Sequence, residues 1–223
     1  MKMGLYIYGA GGHGMVVADA AASDRWLVRG FVDDQPEGSK AERSRVVERD
    51  QMLERADIAV IVAVGDNTVR QRLCRELREA GRVLATVVHA CAELGRDVQL
   101  GEGVFIGAMA VVNAAAQVGD GAIINTAAVI EHHCRVGAFA HIAPNATLCG
   151  GASVGTRSLV GANAVLLPGV TVGDDCTVGA GAVVTKTVED GDTVIGNPAR
   201  VLQRPSYPHD QHDRMTGDGT ILA

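Results

Sequence analysis

Residues 100–130 read LGEGVFIGAMAVVNAAAQVGDGAIINTAAVI, and every sixth position is aliphatic: Leu100, Ile106, Val112, Val118, Ile124 and Ile130. The series runs unbroken from Val88 to Val184, through Leu94 before this stretch and Val136, Ile142, Leu148, Val154, Val160, Leu166, Val172 and Val178 after it. Four residues after most of these stands a small side chain, such as Ala110, Ala122, Cys134, Ala140, Ser158 or Cys176. Gly often follows the aliphatic directly, as at Gly107, Gly119 and Gly161. A period of six fits neither an α-helix, at about 3.6 residues per turn, nor a lone strand, at about 2. It describes a solenoid in which three hexads close one triangular coil. The aliphatic is expected to point inward from each flat side, the small residue to sit near the corner, and Gly to turn the chain.

The bulk numbers fit this. The chain has 223 residues, only 3% aromatic, so its core is built from stacked aliphatics rather than rings. Net charge is -6 with acids and bases interleaved, and no basic stripe or aromatic-basic face offers itself to nucleic acid. No apolar run reaches the roughly 20 residues that cross a bilayer, so membrane insertion is not expected. The start, Met1-Lys2-Met3-Gly4, does not read as a signal peptide. Five cysteines lack metal-ligand spacing; Cys134 and Cys176 fill small-residue slots and Cys74 lies on a helix, which suits free thiols in a reducing cytoplasm.

Upstream of the hexads the grammar changes. Leu5 to Tyr8 is a short apolar strand, followed by Gly9-Ala10-Gly11-Gly12-His13-Gly14 and a helical pattern that turns Met15, Val16, Val17, Ala20 and Ala21 toward a core. Val28 to Val32 reads as a second strand closed by Asp33-Asp34, and residues 35–45 read as a loop. Ile58 to Val64 is a continuous apolar run, as in a buried parallel strand. Asp66 or Asn67 can cap the helix after it, with Val69, Leu73 and Leu77 inward and Gly81 at its end. Val83 to Val88 reads as one more strand. The organisation expected is therefore a Rossmann-like α/β domain over residues 1–86, a solenoid over 87–202 and a tail over 203–223, whose His209 and His212 are given no role.

Gly9, Gly11 and Gly14 have G-x-G-x-x-G spacing between a strand and a helix, where backbone N–H groups and the helix dipole favour a diphosphate. Asp33 and Asp34 stand about 20 residues on, where a ribose or base contact is expected. NAD is the rival ligand, but the domain is short for a full dinucleotide sheet and His13 is unusual in such a loop, so a nucleotide-sugar fits better. Gly65-Asp66-Asn67, at the strand edge where open α/β sheets bind ligands, can serve sugar hydroxyls, cap the helix, or both. In the solenoid, Glu131-His132-His133 interrupts a run of Gly, Ala and Val. Histidine takes a proton near neutrality, so this triplet is the candidate catalytic group, with His141 further on. Zinc held between subunits by three well-separated histidines on stacked coils is the competing use, but His89 lies too far upstream to complete a set, and no metal is expected.

With these motifs placed, the chain resembles the bacterial sugar acyltransferases of the sialic-acid O-acetyltransferase type, which include the bacillosamine and perosamine N-acetyltransferases. The resemblance covers Leu5 to Arg204 and rests on Tyr6 to Gly14, Phe31 to Asp34, Gly65 to Asn67, Asn125-Thr126 with Val129 to His132, and Gly196-Asn197-Pro198-Ala199. It implies a left-handed β-helix, a homotrimer with active sites between subunits, acetyl-CoA along the coils, and a nucleotide-sugar on the N-terminal domain. His132 matches the catalytic histidine and His141 a histidine near the thioester. Gly150 matches an oxyanion donor, while Asn125, Gly196, Asn197 and Pro198 fall in the acetyl-CoA region. Gly9, Gly11, Gly12, His13, Gly14, Asp33, Asp34, Gly65, Asp66 and Asn67 fall in the nucleotide-sugar region. Where many members carry a carboxylate after the catalytic histidine, this chain has His133, leaving Glu131 or another subunit to supply one. The activity implied is N-acetylation of a nucleotide-linked 4-amino-4,6-dideoxy sugar in glycan biosynthesis. Sugar O-acetylation, a non-catalytic nucleotide-binding trimer and an NAD-dependent oxidoreductase are the alternatives.

Overall fold

A computed structural model describes residues 2–35, 39–41 and 46–202; the tail with His209 and His212, and most of the 35–45 segment, lie outside the described residues. The N-terminal part alternates strand and helix: β1 (Met3–Tyr8), α1 (Gly12–Ser23), β2 (Trp26–Val32), α2 (Arg49–Leu53), β3 (Ala59–Val62) and α3 (Asn67–Glu79). The strands form a parallel sheet in the order β2-β1-β3. Leu5, Ile7, Phe31, Val60 and Ile61 have no exposed surface, as continuous apolar runs in a sheet covered on both faces should. Asp66 caps α3, its Oδ1 accepting the Val69 N–H at 2.8 Å. At the other end Gly81 adopts φ +70° while its own N–H and that of Arg82 return to the carbonyls of Arg78 and Leu77. Two expectations change. The strand read over Val83 to Val88 reduces to a single bridge, Val60 to Leu84, because Val87–Val88 is already the first rung of the solenoid. The short α2 carried no periodic signal and is a further element.

From Val87 the chain winds a β-solenoid of two-residue rungs on three flat faces. Face one carries Phe105–Ile106, Ile123–Ile124, His141–Ile142 and Leu159–Val160; face two Val111–Val112, Val129–Ile130, Thr147–Leu148 and Val165–Leu166; face three Gln117–Val118, Arg135–Val136 and Ser153–Val154. Each rung up to Val165–Leu166 pairs in parallel with the residues 18 positions on, as Ile124 does with Ile142, and the last face-one pairing, Val178 with Val194, is two residues shorter. The hexad aliphatics and the small residues before them form one continuous core in which Ile106, Ala110, Val112, Ala140, Ile142 and Ala164 have no exposed surface. The solenoid is left-handed, against the usual hand of parallel crossovers.

The glycines do a different job from the one read in the sequence. The chain turns at the residue three after each aliphatic from Leu94 to Val178, which has φ near +60° whether or not it is Gly, as Asp97, Met109, Ala115, Gly121, Ala127, His133, Phe139, Asn145, Gly151 and Arg157 do. Left-handed backbone costs an L-residue roughly 1 kcal/mol or more, and ladder bonds on both sides of the corner hold it there. The glycine directly after the aliphatic is needed because the next coil passes against it. A Cβ on Gly161 would lie 2.6 Å from the Ala180 nitrogen and 2.7 Å from the Val178 oxygen, both backbone. Gly161→Ala is therefore expected to force coils apart at a cost of about 1–3 kcal/mol, lowering Tm by roughly 2–10 °C. An unchanged melting curve would contradict this account of the close approach.

Candidate active site

The N-terminal sheet seats on face one. Phe105 and Ile123 join Leu5, Ile7, Phe31 and Ile61 in one buried cluster, and the His13 ring meets Phe105 edge-on with centroids 5.3 Å apart. The glycine loop between β1 and α1 is built for close backbone. Gly9 takes φ +113° with a Cβ position 2.7 Å from the Ala63 oxygen, whereas Gly11 and Gly12 face open space. Asp33 ties this loop to β2: one carboxylate oxygen accepts the Ala10 N–H at 2.7 Å and the other the Gln35 N–H at 2.8 Å. Asp34 takes the Tyr8 hydroxyl at 2.5 Å, and burial together with that carboxylate raises the Tyr8 pKa.

The loop after β3 closes the other side of the cleft. Gly65 is open, Asp66 is consumed as the helix cap, and Asn67 turns to the solenoid, its Nδ2 donating to the Arg157 carbonyl at 2.6 Å. Asn67 is thus engaged in docking the two parts of the chain. Below this loop, on face one, lies His141. Asn125 Oδ1 accepts the Thr126 N–H, which orients the amide so that its Nδ2 donates to His141 Nε2 at 3.1 Å. The Gly65 backbone lies near the ring and favours its protonated form, the smallest of the influences on it. Burial, with Arg70 and His13 close by, pushes the His141 pKa down to about 4; burial and Arg70 do the same to His13. Both are neutral imidazoles near pH 7, and His13 Nε2 is buried with no hydrogen-bond partner among the described residues.

His132 occupies a different place. It sits at the corner between faces two and three, exposed, 18 residues before Gly150 and one coil below it. A Cβ on Gly150 would lie 2.7 Å from both Cε1 and Nε2 of His132, so only glycine leaves room for the ring. His132 Nδ1 meets His133 Nδ1 at 3.1 Å. Glu131 does not reach the ring; its Oε2 accepts the His132 backbone N–H at 3.2 Å, the capping role that Asp174 plays for Thr156 and Asp120 for Glu102 at other corners. Among the described residues the equivalent N–H of Gly150 has no hydrogen-bond partner, and the α-carbon of Gly150 packs against the His132 ring.

Two separations follow. His132 and Gly150 share one vertex, but His141 and Asn125, placed with them on resemblance, lie under the N-terminal loops instead. That vertex is opposite face one in a three-sided coil, so a single chain keeps His132 away from its own glycine loop. Gly196, Asn197 and Pro198 form the turn after the last face-one rung, where the Gly196 carbonyl accepts the Val183 N–H. Beside them a cavity of about 250 Å3, lined by Val184 to Val188, Ala199 and Arg200, opens at the same vertex as His132, further along the coil. Lys186 and Arg200 there went unread in the sequence; their only signal was position, Lys186 standing three times 18 residues after His132.

Residues 4–77 match the family described as the PglD N-terminal domain, and residues 97–126 and 151–186 the hexapeptide repeat of succinyl-transferase. PerB from Caulobacter crescentus, solved with CoA and GDP-perosamine, is 40% identical with a TM-score of 0.83, the match covering 90% of this chain and 97% of that one. Variants of that perosamine N-acetyltransferase with one histidine replaced by Asn or Ala, also with CoA and GDP-perosamine, superpose equally well, each at a TM-score of 0.85. The acetyltransferase domain of PglB from Neisseria gonorrhoeae FA1090, solved with acetyl coenzyme A, is 36% identical with a TM-score of 0.84, covering 91% and 100%. WeeI from Acinetobacter baumannii AYE is 27% identical with a TM-score of 0.81, covering 90% and 100%.

Proposed function

The chain belongs to the hexapeptide-repeat sugar acyltransferases that carry a PglD-type N-terminal domain, and from that membership we propose that it moves the acetyl group of acetyl-CoA to the 4-amino group of a nucleotide-linked 4-amino-4,6-dideoxy sugar, with His132 as general base. It is an acetyl-CoA-dependent sugar N-acetyltransferase; the particular sugar and the base are the proposal. The observation that carries the base is that the His132 ring lies against Gly150, whose N–H has no partner among the described residues, at one vertex. A thioester oxygen accepting that N–H gains stabilisation as it becomes an oxyanion, while Nε2 takes the proton of the attacking amine. Nε2 can do so only if Nδ1 carries the ring proton, and His133 Nδ1 at 3.1 Å is the acceptor for it. His133 thus takes over the orienting task that a carboxylate performs elsewhere. His141 is a poor base by contrast, with Nε2 taking the Asn125 amide and its pKa depressed to about 4.

The chemistry is a direct transfer. The amine nitrogen bonds to the thioester carbon, the C–S bond breaks, and CoA leaves as the thiol. Holding both substrates across one groove supplies the proximity an acyl-enzyme would otherwise provide. Acetyl-CoA would run along the vertex from Gly150 to the cavity at Val184 to Val188, where Lys186 and Arg200 suit its phosphates. Because His132 stands opposite face one, the nucleotide-sugar would come from the glycine loop of a neighbouring copy, which supports a cyclic trimer with shared sites. The test is a panel of GDP-, UDP- and dTDP-linked 4-amino-4,6-dideoxy sugars incubated with acetyl-CoA. An amide product, stable to mild base, with one thiol released per turnover is expected. A base-labile ester would move the reading to O-acetylation, and no turnover on any member would overturn it.

A further inference from the structure

Arg70 takes no part in this chemistry, yet it is the largest fully buried side chain among the described residues, 1% exposed, and it forms no ion pair there. Every acceptor around its guanidinium is a carbonyl oxygen. Nη1 donates to Val64 at 2.8 Å and Gly65 at 3.2 Å, on the loop after β3. Nε donates to Gly121 at 2.7 Å and Nη2 to Phe139 at 2.7 Å, on the solenoid. Nη2 also reaches Asn67 Oδ1 at 2.7 Å, and Asn67 Nδ2 goes on to Arg157.

Gly121, Phe139 and Arg157 are successive left-handed corners of one vertex, each 18 residues after the last, and none of their carbonyls is used by the coil's own ladder. Arg70 and Asn67, one turn apart on α3, read three such corners in sequence, spaced about 4.8 Å apart as neighbouring rungs are. A buried cation without an anion is a costly way to stabilise an interface, and an apolar side chain would serve that purpose as well. What the planar fork adds is geometry. It fits carbonyls at fixed separations that an aliphatic cannot read and a single ammonium cannot bridge.

We propose that Arg70 is a positioning residue for acetyl transfer: it locks the Val64–Gly65 loop onto the solenoid corners, and through Gly65 and His141 fixes where the bound nucleotide-sugar stands relative to the coil. The proposal rests on the acetyltransferase reading above. Arg70 touches neither substrate; it acts through the loop that lies over His141.

The full-length chain carrying Arg70→Lys or Arg70→Leu tests it, by kinetics in both substrates, acetyl-CoA affinity, and hydrogen exchange at residues 64–67 and 105–142. Arg70→Lys is expected to lower kcat/KM for the nucleotide-sugar on the order of 100-fold, as a misplacement of about 1 Å does. Acetyl-CoA Kd should stay within roughly twofold, a change worth little free energy. The 64–67 loop should exchange faster while the coil keeps its protection. Wild-type kcat/KM in Arg70→Lys overturns the proposal. So does a parallel loss of acetyl-CoA binding and coil protection, which would mark a merely stabilising role. If Arg70→Leu does not fold, Arg70→Lys decides alone. Should the wild type acetylate no sugar, the acetyltransferase reading fails instead, and the exchange measurement still judges the clamp.

Discussion

His132→Ala is expected to lower kcat by about 100- to 10,000-fold, the usual range for removing a general base, while acetyl-CoA Kd stays nearly unchanged. The ring lies on Gly150 and reaches none of the residues that line the cavity along the coil. Gly150→Ala should lose activity by a related route. Its Cβ would fall 2.7 Å from Nε2 and Cε1 of His132 and drive the ring off the vertex, even though the backbone N–H remains. The two changes act on one group, so they should be strongly non-additive, and Gly150→Ala should cost little more in the His132→Ala background. Steady-state kinetics on the three variants checks this; full turnover in His132→Ala, or additive losses, would remove the base from His132. The proposed sharing of sites in a trimer adds a further arm. Mixing His132→Ala subunits with His13→Ala subunits should restore activity that neither has alone, because each mixed trimer contains one intact pairing of vertex and glycine loop.

The parts of this site differ in how openly the sequence carries them. The hexad period was legible because each coil must bury the same kind of side chain at the same place, and one string of Val, Leu and Ile dictates that on its own. The corners were not. Phe139, Arg157 and His133 adopt φ near +60° because the ladder on both sides demands it, so their identities reveal nothing about the turn. The glycines that looked like turn-makers serve instead to let coils touch. The Glu131-His132-His133 triplet could be singled out because histidines stand out against Gly, Ala and Val. Its separation from the glycine loop could not, since that depends on which of three equivalent faces receives the N-terminal sheet. Phe105, Ile123 and His141 point outward on face one, and only their larger size and their partners across the interface distinguish that face. Arg70 is the sharpest case. On a helix rich in arginines it reads as one more solvated charge, and its burial against Gly121 and Phe139 exists only once the two parts of the chain meet.

That same interface predicts an acid-labile fold. His13 and His141 both have folded-state pKa values lowered to about 4, against an ordinary value near 6.5. The unfolded chain therefore binds more protons than the native one between pH 6.5 and pH 4, and stability rises with pH wherever that holds. Acidifying from pH 7 to 4.5 should thus destabilise the protein, by at most about 3 kcal/mol for each histidine and less for the pair, which interact. Depressed carboxylates such as Asp57, Glu76 and Asp175 are held by exposed or half-buried arginines, and their contribution is lost only as pH falls through and below their ordinary range. The window between pH 6.5 and 4.5 therefore belongs mainly to the two imidazoles. His141→Asn, which can keep a side-chain donor toward Gly65 but cannot take up a proton, should flatten the slope of stability against pH in that window. Denaturant titrations of the wild type and His141→Asn at half-unit steps of pH measure it. Identical slopes in the two proteins would mean that the interface between sheet and solenoid does not exclude protons, and the neutral histidine cluster beneath Gly65 would have to be abandoned.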